Sequence, residues 1–382
     1  MFYDKQTKEK QQKYKAILQK VGEYSRLFSD SDTPYLSYRI QENAFCYCFE
    51  MDNAARDDSA VDAKNLEIGV GLKTWVDSDD QKIAEFGKLL PKYEGLKGVE
   101  LVKQIATYRN ARIVVSQNLY GIKKLVYHIV KRVPHKMVIL EHDYDLIDIG
   151  KIKIIKNKGK GNNVYFTDGK HQYHFSNSKH TLYMLFDKAK EMDSFSVTIM
   201  NDPFKAILAS NNKVAKIVNR VMVKDVLCAK IYSESKSKGK YVPEKSGLNQ
   251  WNAAGRKRDT NELYIPLNGM DNKRAKAFFP PRDKTFNLHL PNGNVIKASL
   301  CQENSKALMS NPNKELGRWL LRDVFGLAEG TLVTYDMLLE FGIDSVIFTK
   351  IDKNNYRVDF TEVGTYEKFY GLEDQEEVEE NE

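Results

Sequence analysis

The pattern of apolar residues changes near Pro203, and this change constrains the fold more than any other feature of the sequence. Before Pro203, runs with helical spacing alternate with strand-like runs, among them the stretch 68–75. After it, short strand-like runs are separated by turn residues, and a helix-like stretch at 314–325 interrupts them. We therefore expect an α+β domain followed by a mainly β domain that closes into a small barrel.

The length of 382 residues suits two or three domains at about 100–200 residues each. We predict a first domain at 1–202, a connecting helix or strand with a linker at 203–240, a second domain at 241–361 and an acidic tail at 362–382. The Ser/Lys-rich run 233–240 has the composition of a linker. The tail is expected to be disordered and solvated.

Charge is distributed unevenly along the chain. The formal net charge is +7, although the segment 362–382 holds nine acids and one lysine. The rest of the chain therefore carries about +15, which suits an anionic polymer as the partner. A generic basic protein is the alternative interpretation of the charge alone.

Other features indicate the compartment. The sequence has no run of about 18 apolar residues, so we expect no membrane partner. Its first 15 residues are charged and lack the apolar core of a secretory signal, which predicts a cytoplasmic protein. The four cysteines form neither a disulfide framework nor a zinc motif: Cys46, Cys48, Cys228 and Cys301.

Four segments of the first domain bear on the candidate site. The spacing of apolar residues predicts a helix at 39–51 and a strand in the stretch 61–75. It also predicts a helix at 77–93, directly after that strand, and another at 179–192. The helix at 77–93 matters because it would carry an acid back towards the strand.

The strand "IGVGLKTW" places a lysine among apolar and small residues. Side chains alternate along a strand, so Gly69, Gly71 and Lys73 share one face. Asp62 precedes Lys73 by eleven residues, which matches the outer positions of the PD-(D/E)xK nuclease pattern. Metal-dependent phosphodiester cleavage needs carboxylates for Mg²⁺ and a cation near the attacking water. We expect the two glycines to leave room for a metal and a phosphate.

The second acid of that pattern is missing, because position 71 is a glycine. Glu85, on the predicted helix 77–93, is our preferred substitute, and Glu67 lies too far along the strand, at roughly 20 Å. We predict Asp62 and Glu85 as Mg²⁺ ligands and Lys73 as the residue that orients water or stabilises charge. Glu42, on the helix 39–51, is a supporting acid or a ligand. The alternative is an ordinary edge-strand lysine beside an ordinary turn aspartate.

Several long blocks of the second domain are distinctive: "GLNQWNAAGRKRDTNELYIPL" from Gly247, "FFPPRDKTFNLHLPNG" from Phe278, "CQENSKALMSNPNKELGRWLLRDVF" from Cys301 and "TYDMLLEFGIDSVIFTKIDKNNYRVDF" from Thr334. Together they resemble the C-terminal B3-like DNA-binding domain of one family of type II restriction endonucleases, over about 247–360. The resemblance implies a pseudobarrel that grips the major groove of double-stranded DNA with two arms.

The same blocks supply the candidate DNA contacts. Asparagine and glutamine can read adenine and arginine can read guanine, while other basic residues suit phosphates. The candidates are Gln250, Trp251, Asn252, Arg256 and Arg258 on one loop, Lys306, Ser310, Asn311 and Asn313 on a second, and Lys273 and Arg274 for phosphates. Arg256 could instead pair with Asp259. Trp319 is expected in the core.

The first domain departs from the better-known members of that family, which carry a phospholipase D-type nuclease whose signature, HxKxxxxD, is absent here. It is more similar to another class of restriction-type nuclease domains, through blocks at 39–45, 56–63, 69–75 and 82–86. That similarity adds Arg56 and Asp58 as residues that support the site or touch DNA.

These observations predict a Mg²⁺-dependent type II restriction endonuclease with an α/β nuclease core. Cleavage of both strands calls for a homodimer or for sequential nicking, and a cognate DNA methyltransferase would act in the same system. A non-catalytic DNA-binding protein with a degenerate nuclease domain is the alternative, favoured by Gly71. An RNA-binding factor is a weaker alternative, which predicts a preference for single strands.

Overall fold

The computed structural model describes residues 1–54, 60–155, 163–209 and 225–372. Arg56, Asp58 and the predicted turn at 157–162 lie outside these residues. The chain divides into two compact units. Unit 1 comprises 1–56, 60–110 and 122–222, and unit 2 comprises 57–59, 111–121 and 223–382.

Unit 1 contains two sheets and the helices around them. The helices are α1 (Lys8–Glu23), α2 (Tyr38–Phe49), α3 (Leu90–Tyr93), α4 (Gly98–Tyr120, whose residues from 111 belong to unit 2) and α5 (Pro203–Ala209). The strands are β1 (Asp52–Asn53), β2 (Ala63–Lys64), β3 (Ile68–Trp75), β4 (Asp80–Glu85), β5 (Lys124–Val133), β6 (Lys136–Asp143), β7 (Lys153–Ile154), β8 (Asn163–Thr167), β9 (Gln172–Ser176), β10 (Thr181–Leu185) and β11 (Lys190–Ser196).

The six-stranded sheet of unit 1 has the order β1-β2-β3-β5-β6-β11. Strands β3 and β5 are parallel, so the chain between them must cross over, and it does so through α3 and α4. One face of this sheet carries Val70 and Leu72, which pack with Phe45 and Phe49 of α2 in the core. The predicted helix at 39–51 and strand at 68–75 are thus confirmed.

The five-stranded sheet has the order β4-β10-β9-β8-β7 and corrects two predictions. Residues 80–85 form β4 and not the first turns of a helix, because their backbone pairs with β10 from Glu85–Thr181 to Asp80–Leu185. Residues 181–185 and 190–196 are likewise strands, so the helix predicted at 179–192 is wrong. In both segments, long-range backbone pairing overrides the local helical spacing of apolar residues.

Unit 2 is built around a seven-stranded sheet with the order β12-β19-β20-β16-β17-β18-β15. The strands of this sheet are β12 (Val226–Lys230), β15 (Ile265–Pro266), β16 (Phe286–His289), β17 (Val295–Cys301), β18 (Ala307–Ser310), β19 (Ile343–Lys350) and β20 (Asn355–Glu362). Strands β13 (Ser233–Ser235) and β14 (Gly239–Tyr241) form a separate two-stranded sheet. The two end strands, β12 and β15, contact each other, so the sheet forms a nearly closed barrel. This agrees with the predicted mainly β architecture.

Short helices cover the barrel of unit 2. They are α6 (Gly269–Phe278), α7 (Glu315–Gly317) with a π-helical continuation at Arg318–Val324, α8 (Tyr335–Phe341) and α9 (Thr365–Tyr370). Trp319, on the π-helical segment, is buried against Phe360, as predicted.

The segment 233–240, which has linker composition, and the first part of the acidic tail, 362–372, are folded, whereas 373–382 lie outside the described residues. Ser233–Ser235 pairs with Gly239–Tyr241 in a two-stranded hairpin, and Gly239 takes a positive φ of 60° at the turn. Residues 362–372 complete β20 and form α9, where Glu367 accepts a hydrogen bond from Lys240 at 2.8 Å. Within the described residues, the helices are too short or too polar to cross a membrane.

Candidate functional site

Asp62 immediately precedes β2, at the point where the pairing with β3 ends, and the candidate site begins there. Ala63 still lies opposite Val70, and the N–H of Asp62 donates to the carbonyl of Val70 at 2.9 Å. Further along β3, the N–H of Leu72 donates to Oδ2 of Asp62 at 2.6 Å. The carboxylate of Asp62 therefore accepts the hydrogen bond that a backbone carbonyl of a neighbouring strand would otherwise accept from Leu72. This bond fixes the side chain of Asp62 at the edge of β3.

Helix α2 brings a second carboxylate to the same edge. The side chain of Gln41 donates to the carbonyl of Lys73 at 2.9 Å, which joins α2 to β3. The next residue, Glu42, has only 6% of its surface exposed and pairs with Arg39 at 3.0 Å. Arg39 and Glu42 are three residues apart, so they share one face of the helix.

The electrostatics connect these side chains. Burial raises the pKa of Asp62, while Lys73, the N–H of Leu72 and Arg39 act in the opposite direction. Burial also raises the pKa of Glu42, the charge of Asp62 raises it further, and Arg39 and Lys73 oppose the rise. Burial and, for Glu42, the charge of Asp62 thus raise the pKa of these carboxyl groups, and Lys73 and Arg39 oppose the rise only in part.

The glycines beside Lys73 leave no open space, contrary to expectation. A Cβ on Gly71 would lie 2.7 Å from the ring of Tyr127 and 3.1 Å from that of Tyr144. A Cβ on Gly69 would meet three apolar side chains at 2.8 to 2.9 Å. The rings of Tyr127 and Tyr144 stack with centroids 4.0 Å apart, and they occupy the place where an acid at position 71 would project.

A buried arginine supports this tyrosine pair. Arg109 donates to the carbonyl of Asp145 at 2.8 Å, and its guanidinium lies 5.5 Å from the ring centre of Tyr144. The hydroxyl of Tyr144 donates to the carbonyl of Ala60. The pair therefore holds the chain two residues ahead of Asp62. The sequence gives no local signal for this arrangement, since its members come from separate elements.

Glu85 does not lie on a helix that returns to the site. It is on β4, in the other sheet, with 63% of its side chain exposed, and its carboxylate pairs with Lys82 at 2.5 Å. The structure therefore brings Glu42 to Asp62, whereas Glu85 is held in a surface ion pair. The choice of Glu85 rested on the wrong helix at 77–93.

The donor set fits Mg²⁺ only with water as a large part of its coordination. Among the described residues, no group of three or more His, Cys, Asp or Glu side chains is arranged to hold a metal. Two carboxylates, those of Asp62 and Glu42, remain as candidates. Mg²⁺ commonly binds proteins through one or two carboxylates and keeps several waters, so this set suffices.

In unit 2, the two predicted guanine readers are engaged within their own loop. Arg256 forms a two-pronged ion pair with the buried Glu262, with N–O distances of 3.1 and 2.7 Å. Its partner is thus Glu262, and not Asp259 as the alternative had it. Arg258 donates to the carbonyls of Ala253 and Ala254. Both arginines shape the loop in the free protein.

The neighbouring loop residues differ in exposure. Gln250 is buried and Trp251 is half-buried, and among the described residues neither Oε1 of Gln250 nor Nε1 of Trp251 finds a hydrogen-bond partner. Asn252 is exposed and donates to the carbonyl of Glu244 at 3.1 Å. Asn252 is therefore the most accessible of the three predicted contacts.

The remaining predicted contacts also fall into two groups. Lys273, Lys306, Asn311 and Asn313 are exposed. Ser310 is buried and accepts a hydrogen bond from the N–H of Leu316 at 2.9 Å. Arg274 pairs with Asp271 at 3.2 Å and covers the ring of Tyr370 at 3.5 Å. Ser310 and Arg274 thus have structural partners.

The loop 253–262 is anchored to the π-helical segment by a residue that the sequence analysis did not single out. Arg322 donates to the carbonyl of Thr260 at 2.8 Å and to Oδ1 of Asn261 at 2.9 Å. A Cβ on Gly317 would collide with the carbonyl of Asn261. Only glycine permits this close approach of helix and loop.

Comparison with known families supports the assignment of unit 2. Residues 226–352 match the sequence model of the NgoFVII C-terminal B3-like DNA-binding domain. The chain therefore contains a DNA-binding domain of a type associated with restriction enzymes. No curated protein matches the chain.

Proposed function

We propose that the protein is a sequence-specific type II restriction endonuclease, which hydrolyses phosphodiester bonds of double-stranded DNA with Mg²⁺. The observation that carries this proposal is the grouping of Asp62, Glu42 and Lys73 at one edge of β3 in a chain with a DNA-binding domain. Binding of DNA by unit 2 would deliver phosphates to unit 1.

Asp62 and Glu42 are the proposed metal ligands. When bound, Mg²⁺ would polarise the phosphate and lower the pKa of a bound water. Asp62 is held by the N–H of Leu72 and Glu42 by Arg39, so both carboxylates are oriented before any ligand arrives. We propose Glu42 as the second metal ligand in place of Glu85, because the charge of Asp62 raises the pKa of Glu42.

Lys73 is proposed to orient the attacking water or to stabilise charge at the scissile phosphate. Its charge lowers the pKa of both carboxylates, which places it within electrostatic reach of the reacting groups. Its backbone carbonyl is fixed by Gln41, so the main chain at Lys73 is rigid while the side chain is half-buried.

One such site cuts one strand, so double-strand cleavage would need a homodimer or two successive nicks. A cognate methyltransferase would protect host DNA, and no direct contact with it is implied. The second candidate is a DNA-binding protein without catalysis, favoured by Gly71, whose environment is closed by Tyr127 and Tyr144.

The test is incubation of the pure full chain with plasmid and phage DNA, in Mg²⁺ and in EDTA, followed by electrophoresis. Discrete fragments that require Mg²⁺ are expected, and sequencing their ends would give the target site. Lys73→Ala should abolish cleavage and preserve DNA binding. Lys82→Ala is the matched control, because that lysine pairs with Glu85 at the surface. DNA that is bound but intact in Mg²⁺ would favour the non-catalytic protein.

A further inference from the structure

A strip of polar side chains crosses three adjacent strands of unit 2, outside the loops predicted to contact DNA. We call it the amide strip: Lys297 on β17, Asn287 and His289 on β16, and Asn355 and Arg357 on β20. Asn287 lies opposite Lys297 on one side and Asn355 on the other, and His289 lies opposite Arg357. Alternation along each strand places these side chains on one face of the sheet.

Hydrogen bonds fix the two amides of the amide strip. Lys297 donates to Oδ1 of Asn287 at 2.7 Å, and Nδ2 of Asn287 donates to Oδ1 of Asn355 at 2.8 Å. Nδ2 of Asn355 donates to Asp352 at 2.9 and 2.8 Å. His289 contacts Oδ1 of Asn355 at 3.2 Å. The acid at position 352 thus orients an amide, and the strip is rigid in the free protein.

The amide strip retains capacity for a ligand. Each amide nitrogen has two N–H donors and each amide oxygen two lone pairs, so Asn287 keeps one donor and one acceptor site. Lys297 and Arg357 are exposed. In the part of the chain that the structure describes, neither forms an ion pair with an acid. Arg256 and Arg274, in contrast, are paired with Glu262 and Asp271.

The size and chemistry of the amide strip suit the major groove of DNA. Neighbouring strands are about 4.8 Å apart, so three strands span roughly 10 Å, and the major groove is about 12 Å wide. Strands that enter a groove are an established mode of DNA binding. The strip also adjoins a predicted contact loop, since the N–H of Asn311 donates to the carbonyl of Lys297 at 2.8 Å.

We propose that the amide strip is a DNA-contact surface of unit 2. Asn287 faces a base edge in the major groove, where an asparagine amide can pair with adenine, and Asn355 holds it in place through the hydrogen bond between the two amides. Lys297 and Arg357, at the two sides of the strip, contact phosphates. The inference rests on the proposed function only in requiring that unit 2 bind double-stranded DNA, and cleavage plays no part in it.

The experiment measures binding of the full chain to duplexes with a randomised central segment, in EDTA so that no DNA is cleaved. Bound duplexes are selected with the wild-type chain, and fluorescence anisotropy then compares the selected and the starting pools. Variants are Lys297→Ala, Arg357→Ala and Asn287→Ala. Lys368→Ala is the control, because it removes one exposed positive charge from α9 in the same unit.

Lys297→Ala and Arg357→Ala should weaken binding to both pools and reduce the dependence of log affinity on log salt by about 1 each. Asn287→Ala should weaken binding to the selected pool by about 5- to 150-fold and leave binding to the starting pool unchanged. Thermal unfolding of each variant, expected to match the wild type, excludes a folding defect.

If the wild type binds DNA and all three variants bind it with the same affinity as Lys368→Ala, the amide strip is not a DNA-contact surface. DNA binding by unit 2 would then stand without it. Failure of the wild type to bind any duplex would overturn both the strip and the proposed function. Loss of binding in the strip variants of a chain that never cleaves DNA would support the strip and contradict the nuclease.

Discussion

The backbone N–H of Leu72 donates a 2.6 Å hydrogen bond to Oδ2 of Asp62, so the catalytic candidate also completes the edge of β3. Asp62→Asn preserves an oxygen acceptor and removes the charge. We expect this variant to fold and to lose cleavage by at least about 100-fold, because a proposed metal ligand is lost. Asp62→Ala should lose stability as well, by about 1–3 kcal/mol, since a backbone donor is left without its partner. Cleavage rates and urea unfolding measure the two effects separately.

The identity of the second acid can be decided by comparing two conservative variants. Glu42→Gln should reduce cleavage by at least about 100-fold, since Glu42 responds electrostatically to Asp62. Glu85→Gln should stay within about twofold of the wild type, because its ion pair with Lys82 is exposed at the surface. If Glu85→Gln cleaves much more slowly than Glu42→Gln, Glu85 and not Glu42 is the second acid.

The raised pKa of Glu42 predicts a pH dependence of stability without metal. A carboxyl group whose pKa is higher in the folded state binds protons more strongly there, so its contribution to stability falls as pH rises through the raised pKa. Glu42→Gln should therefore unfold at a higher temperature than the wild type at pH 7.5 in EDTA. The difference should shrink as the pH falls below the raised pKa.

Mg²⁺ provides the complement to that measurement. Mg²⁺ should raise the unfolding temperature of the wild type at pH 7.5 and have little effect on Glu42→Gln, because the proposed metal site exists only in the folded protein and needs Glu42. An equal rise in both proteins would locate the bound ion elsewhere.

Gly71 makes restoration of an acid at its position unfavourable. Gly71→Glu places a Cβ 2.7 Å from the ring of Tyr127, so overpacking should destabilise the protein by about 1–3 kcal/mol without improving cleavage. Gly71→Ala tests the steric part alone, and chemical unfolding of both variants gives the comparison. A more active Gly71→Glu would mean that the tyrosine pair moves aside.

Variants of Arg256 and Glu262 distinguish a structural role of Arg256 in its loop from a direct contact with a base. Its ion pair with Glu262 predicts that Arg256→Ala and Glu262→Gln weaken DNA binding alike, because both release the loop 253–262. A direct contact with guanine predicts instead that Arg256→Ala alone relaxes sequence preference, at a cost of about 1–3 kcal/mol. Selection from a randomised duplex pool with each variant distinguishes the two.

The sequence predicts the elements whose periodicity is local and fails where a distant strand decides. The strand 68–75 and the helix at 38–49 follow from their own spacing, and both appear. The segment 80–85 has helical spacing but pairs with β10, about a hundred residues further along the chain. No local pattern reveals such a partner, and the preference for Glu85 failed with that helix.

In the candidate site, too, local spacing predicts some residues, and contacts between distant segments decide the others. Asp62 and Lys73 follow from their spacing along the chain, whereas Glu42 becomes the partner acid only once α2 is docked through Gln41. The roles of Arg322 and Gly317 could not be predicted from the sequence either, because they depend on contacts with Thr260 and Asn261.

The anchoring of the loop 253–262 by Arg322 has a consequence for the affinity of the DNA contact predicted for this loop. A loop that is held by its own protein is preorganised, so binding does not have to supply the entropy of ordering it. We therefore expect that exposed residues of the loop, and Asn252 beside it, can be exchanged to alter sequence preference while the scaffold that presents them stays the same.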